Sequence, residues 1–235
     1  MTIRSYLSIS VATSATITIL LPMWRRDLSW LGYIFTPLTM IIILMLAIAA
    51  PAFPPFRYRM SIIIGLIFSL AGDVCLMLPR DYFLQGLICF LLAQCMYLSA
   101  FTSDSRLALK PMPFFVLGAI GVTIIITIWN GISASLRLPV LLYAGMLLTM
   151  ASQAGSRALH LNTPMAYAAA LGAILFVVSD SLLALRKFGY SIPYSRLLVL
   201  GPYFAAQWLI SISVWKQYKS KELGLSGDQI CAGSI

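Results

Sequence analysis

Two aspartates stand where the sequence carries almost nothing else that is charged. Asp73 lies in SLAGDVCLML (69–78) and Asp180 in FVVSDSLLAL (176–185). From Met60 to Leu78 every residue except Asp73 is uncharged, and the run is long enough to cross a bilayer at about 1.5 Å per residue. A carboxyl group at that depth is costly, so it faces a protein interior or a wet cavity rather than lipid. Two such groups at one site suit general acid–base work, because one can hold a proton while the other does not. The other acids, Asp27, Asp81, Asp104, Glu222 and Asp228, fall in turns or in the C-terminal tail. The single histidine, His160, belongs to the turn after the sixth span, on the opposite face from the pair. It cannot serve as their base or build a zinc site of the usual kind. No metal and no organic cofactor is expected.

The elements that must position these acids are membrane-crossing helices. Of 235 residues, 60% are hydrophobic and only 10% charged, against roughly 25% charged in soluble domains. The mean hydropathy of +0.93 agrees. The expected fold is all-α, a polytopic bundle of about eight transmembrane helices forming one unit over 1–218, with a disordered polar tail at 219–235. The spans lie near 5–22, 30–50, 60–78, 82–102, 112–130, 136–155, 164–185 and 197–216. The first is taken as a retained helix rather than a signal peptide, since LLPMW (20–24) offers no small-residue cleavage pattern. The net charge of +9 sits in turns and tail, where it meets lipid headgroups; no basic run interleaved with aromatics suggests nucleic acid. Eight spans put both termini on one side, and nine Lys and Arg there against seven opposite favour cytoplasmic termini. The four cysteines form no C-x-x-C pair and read as reduced packing residues.

Spans three and seven run in the same direction, and each aspartate lies five residues before the end of its span. Both therefore sit ~7–8 Å below one face. Other polar groups gather near that depth. Thr36 precedes Pro37 in span two, Tyr143 lies in span six, and Tyr203 in span eight has Gln207 one turn below it. Gln94 and Tyr97 of span four lie deeper, while Ser69 and Ser179 ride on the helices of the acids. Alone, a tyrosine here reads as an interfacial anchor and a glutamine as an interhelical hydrogen-bonder. Together they outline a polar cavity, opening on the face that carries Arg80, Arg186 and Lys187. An internal echo, D-x-x-L-x-L after each aspartate and then LAQ (92–94) against AAQ (205–207), suggests two parallel four-helix halves.

The motifs G-D-x-x-L-M-L-P (Gly72 to Pro79) and F-x-x-G-L-x-x-F-L-x-x-x-x-x-Y (Phe83 to Tyr97) resemble the lysoplasmalogenase family of membrane proteins, called YhhN-like in bacteria. So do Thr36-Pro37-Leu38-Thr39, S-D-x-x-L-A-L (Ser179 to Leu185) and Y-F-A-A-Q-W-L-I (Tyr203 to Ile210). The resemblance runs from about Gly32 to Ser213. It implies hydrolysis of the vinyl ether bond of a lysophospholipid, giving a fatty aldehyde and a glycerophospho-alcohol, with Asp73 and Asp180 catalytic. Thr36, Ser69, Gln94, Tyr97, Tyr143, Ser179, Tyr203, Gln207, Arg80 and Arg186 then become candidates for holding the substrate, with membrane lipids as the other partners. Two positions depart from the family pattern: a lysine is common where this chain has Thr36, and a histidine where it has Gln94. The rival readings are a proton-coupled transporter or lipid-handling protein, since intramembrane acids also build proton relays, and an intramembrane aspartyl protease, which the missing Pro-Ala-Leu motif disfavours.

Overall fold

The computed structural model describes residues 3–24, 30–50, 55–79 and 82–215, apart from the side chains of 21–24. Within them eight α-helices follow one another: α1 (Ile3–Trp24), α2 (Leu31–Ile48), α3 (Phe56–Met77), α4 (Phe83–Phe101), α5 (Met112–Ile128), α6 (Ala134–Leu161), α7 (Pro164–Lys187) and α8 (Ser195–Ile212). A single 3-10 turn, Trp129–Gly131, joins α5 to α6, and no strand occurs among the described residues. Helices α1 to α7 are long and apolar enough to cross a membrane. Helix α8 falls outside that group because its 18 residues include Arg196, Tyr203 and Gln207, yet eight of them, Tyr203 and Gln207 included, are buried.

The helix ends follow local chemistry. Thr163 caps α7, its Oγ1 accepting from the Ala166 amide at 3.3 Å, and Pro164 opens the helix where a missing N–H costs nothing. Past Lys187 the chain turns at Gly189, whose φ of +117° a side chain would resist. Helix α6 ends six residues later than the sequence suggests, at Leu161 with Asn162 left-handed. His160 therefore lies in the last helical turn, exposed, and not in a connecting turn. The extension carries Gln153, Ser156 and Arg157, polar residues that read as the end of a span. They instead bind the loop between α4 and α5. The Gln153 Nε2 donates to the carbonyls of Phe101 and Arg106, and its Oε1 accepts from the Ala108 amide. Arg157 forms a two-pronged ion pair with Asp104 at 2.6–2.7 Å.

Consecutive helices pack as neighbours from α1 to α4 and again from α5 to α8, with α3–α4 and α7–α8 in most intimate contact. Small residues allow that approach, as in membrane bundles generally. A Cβ at Gly65 of α3 would stand 2.4 Å from the Tyr97 ring of α4, and one at Gly172 of α7 would meet the Ala206 carbonyl of α8 at 2.9 Å. Helix α8 returns against α2, and α6 against α4. These two contacts correspond under an exchange of α1–α4 with α5–α8, whereas the contacts of α8 with α1 and α3 have no counterpart of like extent between α4 and α5 or α7. Helix α5 is peripheral, burying only Gly121 and Ile128. The tail at 219–235, the fourth cysteine (Cys231) and Arg80 lie outside the described residues; among those described, the other three cysteines form no disulfide.

Candidate functional site

Helices α3 and α7 each bring an aspartate to one polar cavity of about 410 Å³, which both Asp73 and Asp180 line. Asp73 lies four residues before the end of α3 and Asp180 seven before the end of α7, so α7 projects further past the site than the span estimate allows. Asp73 is 6% exposed, and Asp180 is half-buried. Each carboxylate accepts a hydrogen bond from a tyrosine. The Tyr203 hydroxyl donates to Asp73 Oδ2 at 2.6 Å, and the Tyr143 hydroxyl donates to Asp180 Oδ2. The Tyr203 ring is held by edge-on contacts to Phe90 and Phe176, with centroids 6.0 and 5.8 Å away. Such aromatic contacts fix orientation as well as burying area, so the hydroxyl is aimed before any ligand arrives.

The remaining candidates divide by depth. Thr36 and Ser179 line the cavity with the acids. Ser179 is already engaged, its Oγ donating to the Val199 carbonyl at 2.9 Å and tying α7 to α8. Tyr203 lines the same cavity, whereas Tyr143 stands behind Asp180 in adjoining apolar pockets. Ser69, Gln94, Tyr97 and Gln207 are not brought to the cavity wall. They form a buried layer beneath it, in which the Tyr97 hydroxyl donates to Gln207 Oε1 at 2.8 Å and stands 3.3 Å from Ser69 Oγ. Gln94 is fully buried, and among the described residues neither of its amide atoms, nor the Gln207 amide nitrogen, meets a partner in good hydrogen-bond geometry.

At the rim Arg186 is exposed and lines the cavity. Lys187 instead lies over the Phe83 ring at 4.8 Å. Sequence reasoning missed Arg196, in the first turn of α8. Arg196 lines the cavity, its Nε donates to the Thr18 carbonyl at 3.1 Å, and it stands within electrostatic reach of Arg186. Gly32 of α2 makes room for it: a Cβ there would fall 2.0 Å from its guanidinium. The ion pair of Arg157 with Asp104 is the only salt bridge among the described residues, so neither rim arginine has a carboxylate partner there. Like charges held together this way are relieved by an anion such as phosphate. Among the described residues no three His, Cys, Asp or Glu side chains gather as a metal-binding group.

The profile of the YhhN family matches residues 31–214. The membrane protein YhhN of Escherichia coli O157:H7 is 29% identical over 191 residues, covering 81% of this chain and 90% of the relative. Human lysoplasmalogenase TMEM86A is 32% identical over 156 residues, 65% of this chain and 64% of its own length. Lysoplasmalogenase TMEM86B of Sus scrofa is 29% identical over 200 residues, 82% and 79%. No solved structure matches. Both aspartate-bearing helices, both tyrosines that bind them and both rim arginines fall inside the matched segment, and the chain belongs to the YhhN family.

Proposed function

We propose that this integral membrane protein hydrolyses the vinyl ether bond of lysoplasmalogens, with Asp73 and Asp180 as its acid–base pair and no cofactor. The observation that carries the reading is the joining of two membrane-embedded carboxyl groups in one cavity, each held by a tyrosine, beneath two arginines that have no carboxylate partner among the described residues. Similarity to the lysoplasmalogenases supports the substrate class.

The chemistry needs only these groups. A vinyl ether reacts by protonation of its outer alkene carbon, which leaves an oxocarbenium ion at the carbon bearing oxygen. One aspartic acid gives that proton, and the resulting carboxylate faces the cation. Water adds to the cationic carbon while the second aspartate takes a proton from it, forming a hemiacetal. In the collapse the first aspartate removes the hemiacetal hydroxyl proton and the second returns its proton to the leaving glycerol oxygen. An aldehyde and a glycerophospho-alcohol depart, and both carboxyl groups regain their starting states. A fixed carboxylate close to the developing cation favours the transition state over the neutral substrate.

The phosphate of the substrate pairs with Arg186 and Arg196, leaving the ether oxygen, only a few bonds away, at the level of the acids. The test is aldehyde release from a lysoplasmalogen by purified protein in detergent. Asp73→Asn and Asp180→Asn should each lower kcat by about 10²–10⁴-fold, and the double variant should lose little more, because the pair acts as one unit. Near-normal turnover by either single variant would contradict the assignment.

A further inference from the structure

The hydrocarbon chain of the substrate needs a place, and the polar cavity offers none along the bundle axis. Below the acids the core is closed by Phe176, Tyr97 and Gln207, all fully buried. The chain begins at the vinyl carbon, so with the phosphate at Arg186 and Arg196 it leaves the acids on the side away from the arginines. There the cavity wall is shared. Leu76, Phe90, Asp180 and Leu183 line both the polar cavity and a small apolar pocket of about 50 Å³ enclosed by α3, α4, α6 and α7. That pocket shares Leu87 with an outer groove of about 310 Å³ between α4 and α6. The groove is lined only by Leu84, Leu87, Ile88, Leu91, Leu138, Pro139 and Leu142. Its outer residues face lipid: Leu142 is 58% exposed and Leu138 65%.

We infer that the alkyl chain runs sideways from Asp180 past Leu87 into the α4–α6 groove, which is both its binding site and the portal by which the substrate enters from the bilayer. This rests on the proposed hydrolysis of a single-chain amphiphile. The physical reason for a lateral route is that every methylene moved from lipid into water is unfavourable, and this path keeps the chain in apolar surroundings throughout. Half-buried Leu87 separates the inner pocket from the outer groove, so the path opens by a change at one side chain. A second apolar pocket, of about 60 Å³ beside Asp180 and Tyr143, leads instead toward α5, where Leu148 packs against Gly121.

The test has two arms. A saturated-ether lysophospholipid, which has no alkene carbon to protonate, carries a photoreactive diazirine at the end of its chain and is bound to the intact protein in lipid nanodiscs. Labelling displaceable by unlabelled lysophospholipid is expected on 84–91 and 138–142. Displaceable labelling on α5, or spread evenly over the lipid-facing helices, overturns the route. In the second arm Leu87→Trp and the surface variant Leu142→Trp are assayed with long-chain and short-chain lysoplasmalogens. The ratio of kcat/KM for long over short chain should fall by about tenfold or more, as when a hydrophobic site loses room. An unchanged ratio in both variants overturns it. If the parent protein cleaves neither substrate while the label still maps to α4 and α6, the hydrolase reading fails and the chain route stands.

Discussion

Tyrosines 143 and 203 turn two aspartates into a site with defined geometry. Their hydroxyls fix one oxygen of each carboxylate and leave the other for substrate or water. A hydrogen bond to a charged group contributes about 1.5–3 kcal/mol, so Tyr203→Phe should cost about tenfold or more in kcat with KM little changed. A comparable rise in KM alone would make the tyrosine a binding contact instead. The arginines should behave in the opposite sense: Arg186→Gln and Arg196→Gln are expected to raise KM several-fold and leave kcat nearly intact, the mark of lost uniform binding. At Arg196 lysine should rescue poorly, because a guanidinium that already donates to Thr18 presents the rest of its planar fork to an anion and an ammonium does not. Unchanged KM in both glutamine variants would return the rim to a purely topological role. The aspartates were legible in the sequence because an acid in an apolar run has few explanations. Arg196 was not, because a basic residue at a helix end is what any membrane protein shows.

The helices place these side chains by close contact between small residues, and the contacts can be tested. Gly65→Val should drive Tyr97 off its bond with Gln207 and destabilise the protein by about 1–3 kcal/mol through overpacking. It would read as a lower thermal midpoint in detergent; an unchanged midpoint would mean that α3 and α4 have slack. At the far end Arg157, 7% exposed and stacked 4.7 Å over Tyr58, depends on Asp104. Asp104→Ala leaves a buried cation without its partner, and the loss should reach about 3 kcal/mol with kcat per folded molecule unchanged. A drop in kcat without loss of stability would tie that face to the chemistry. All eight helices were legible as apolar runs bounded by proline and charge. The end of α6 was not, since periodicity cannot reveal that Gln153, Ser156 and Arg157 are consumed by a neighbouring loop. The same limit placed Gln94, Tyr97 and Gln207 among the cavity residues: sequence depth separates layers by a turn but says nothing about which way a helix faces.

Over the described residues the molecule is a bundle in which the first four helices contribute one acid and the last four the other. Helices α3 and α7 hold the same place in the two runs of consecutive neighbours, α1 to α4 and α5 to α8, and each brings its aspartate to the one cavity. Beneath that cavity Phe176, Tyr97 and Gln207 are fully buried. The most direct measurement is the product formed in deuterium oxide. Protein in detergent is given a lysoplasmalogen, the aldehyde is trapped by reduction as it forms, and its mass is compared with that from ordinary water. Carbon protonation by an aspartic acid in exchange with solvent predicts one deuterium on the carbon next to the former aldehyde, with almost no aldehyde from Asp73→Asn or Asp180→Asn. Absence of aldehyde from the parent protein, or equal release by the asparagine variants, would contradict it.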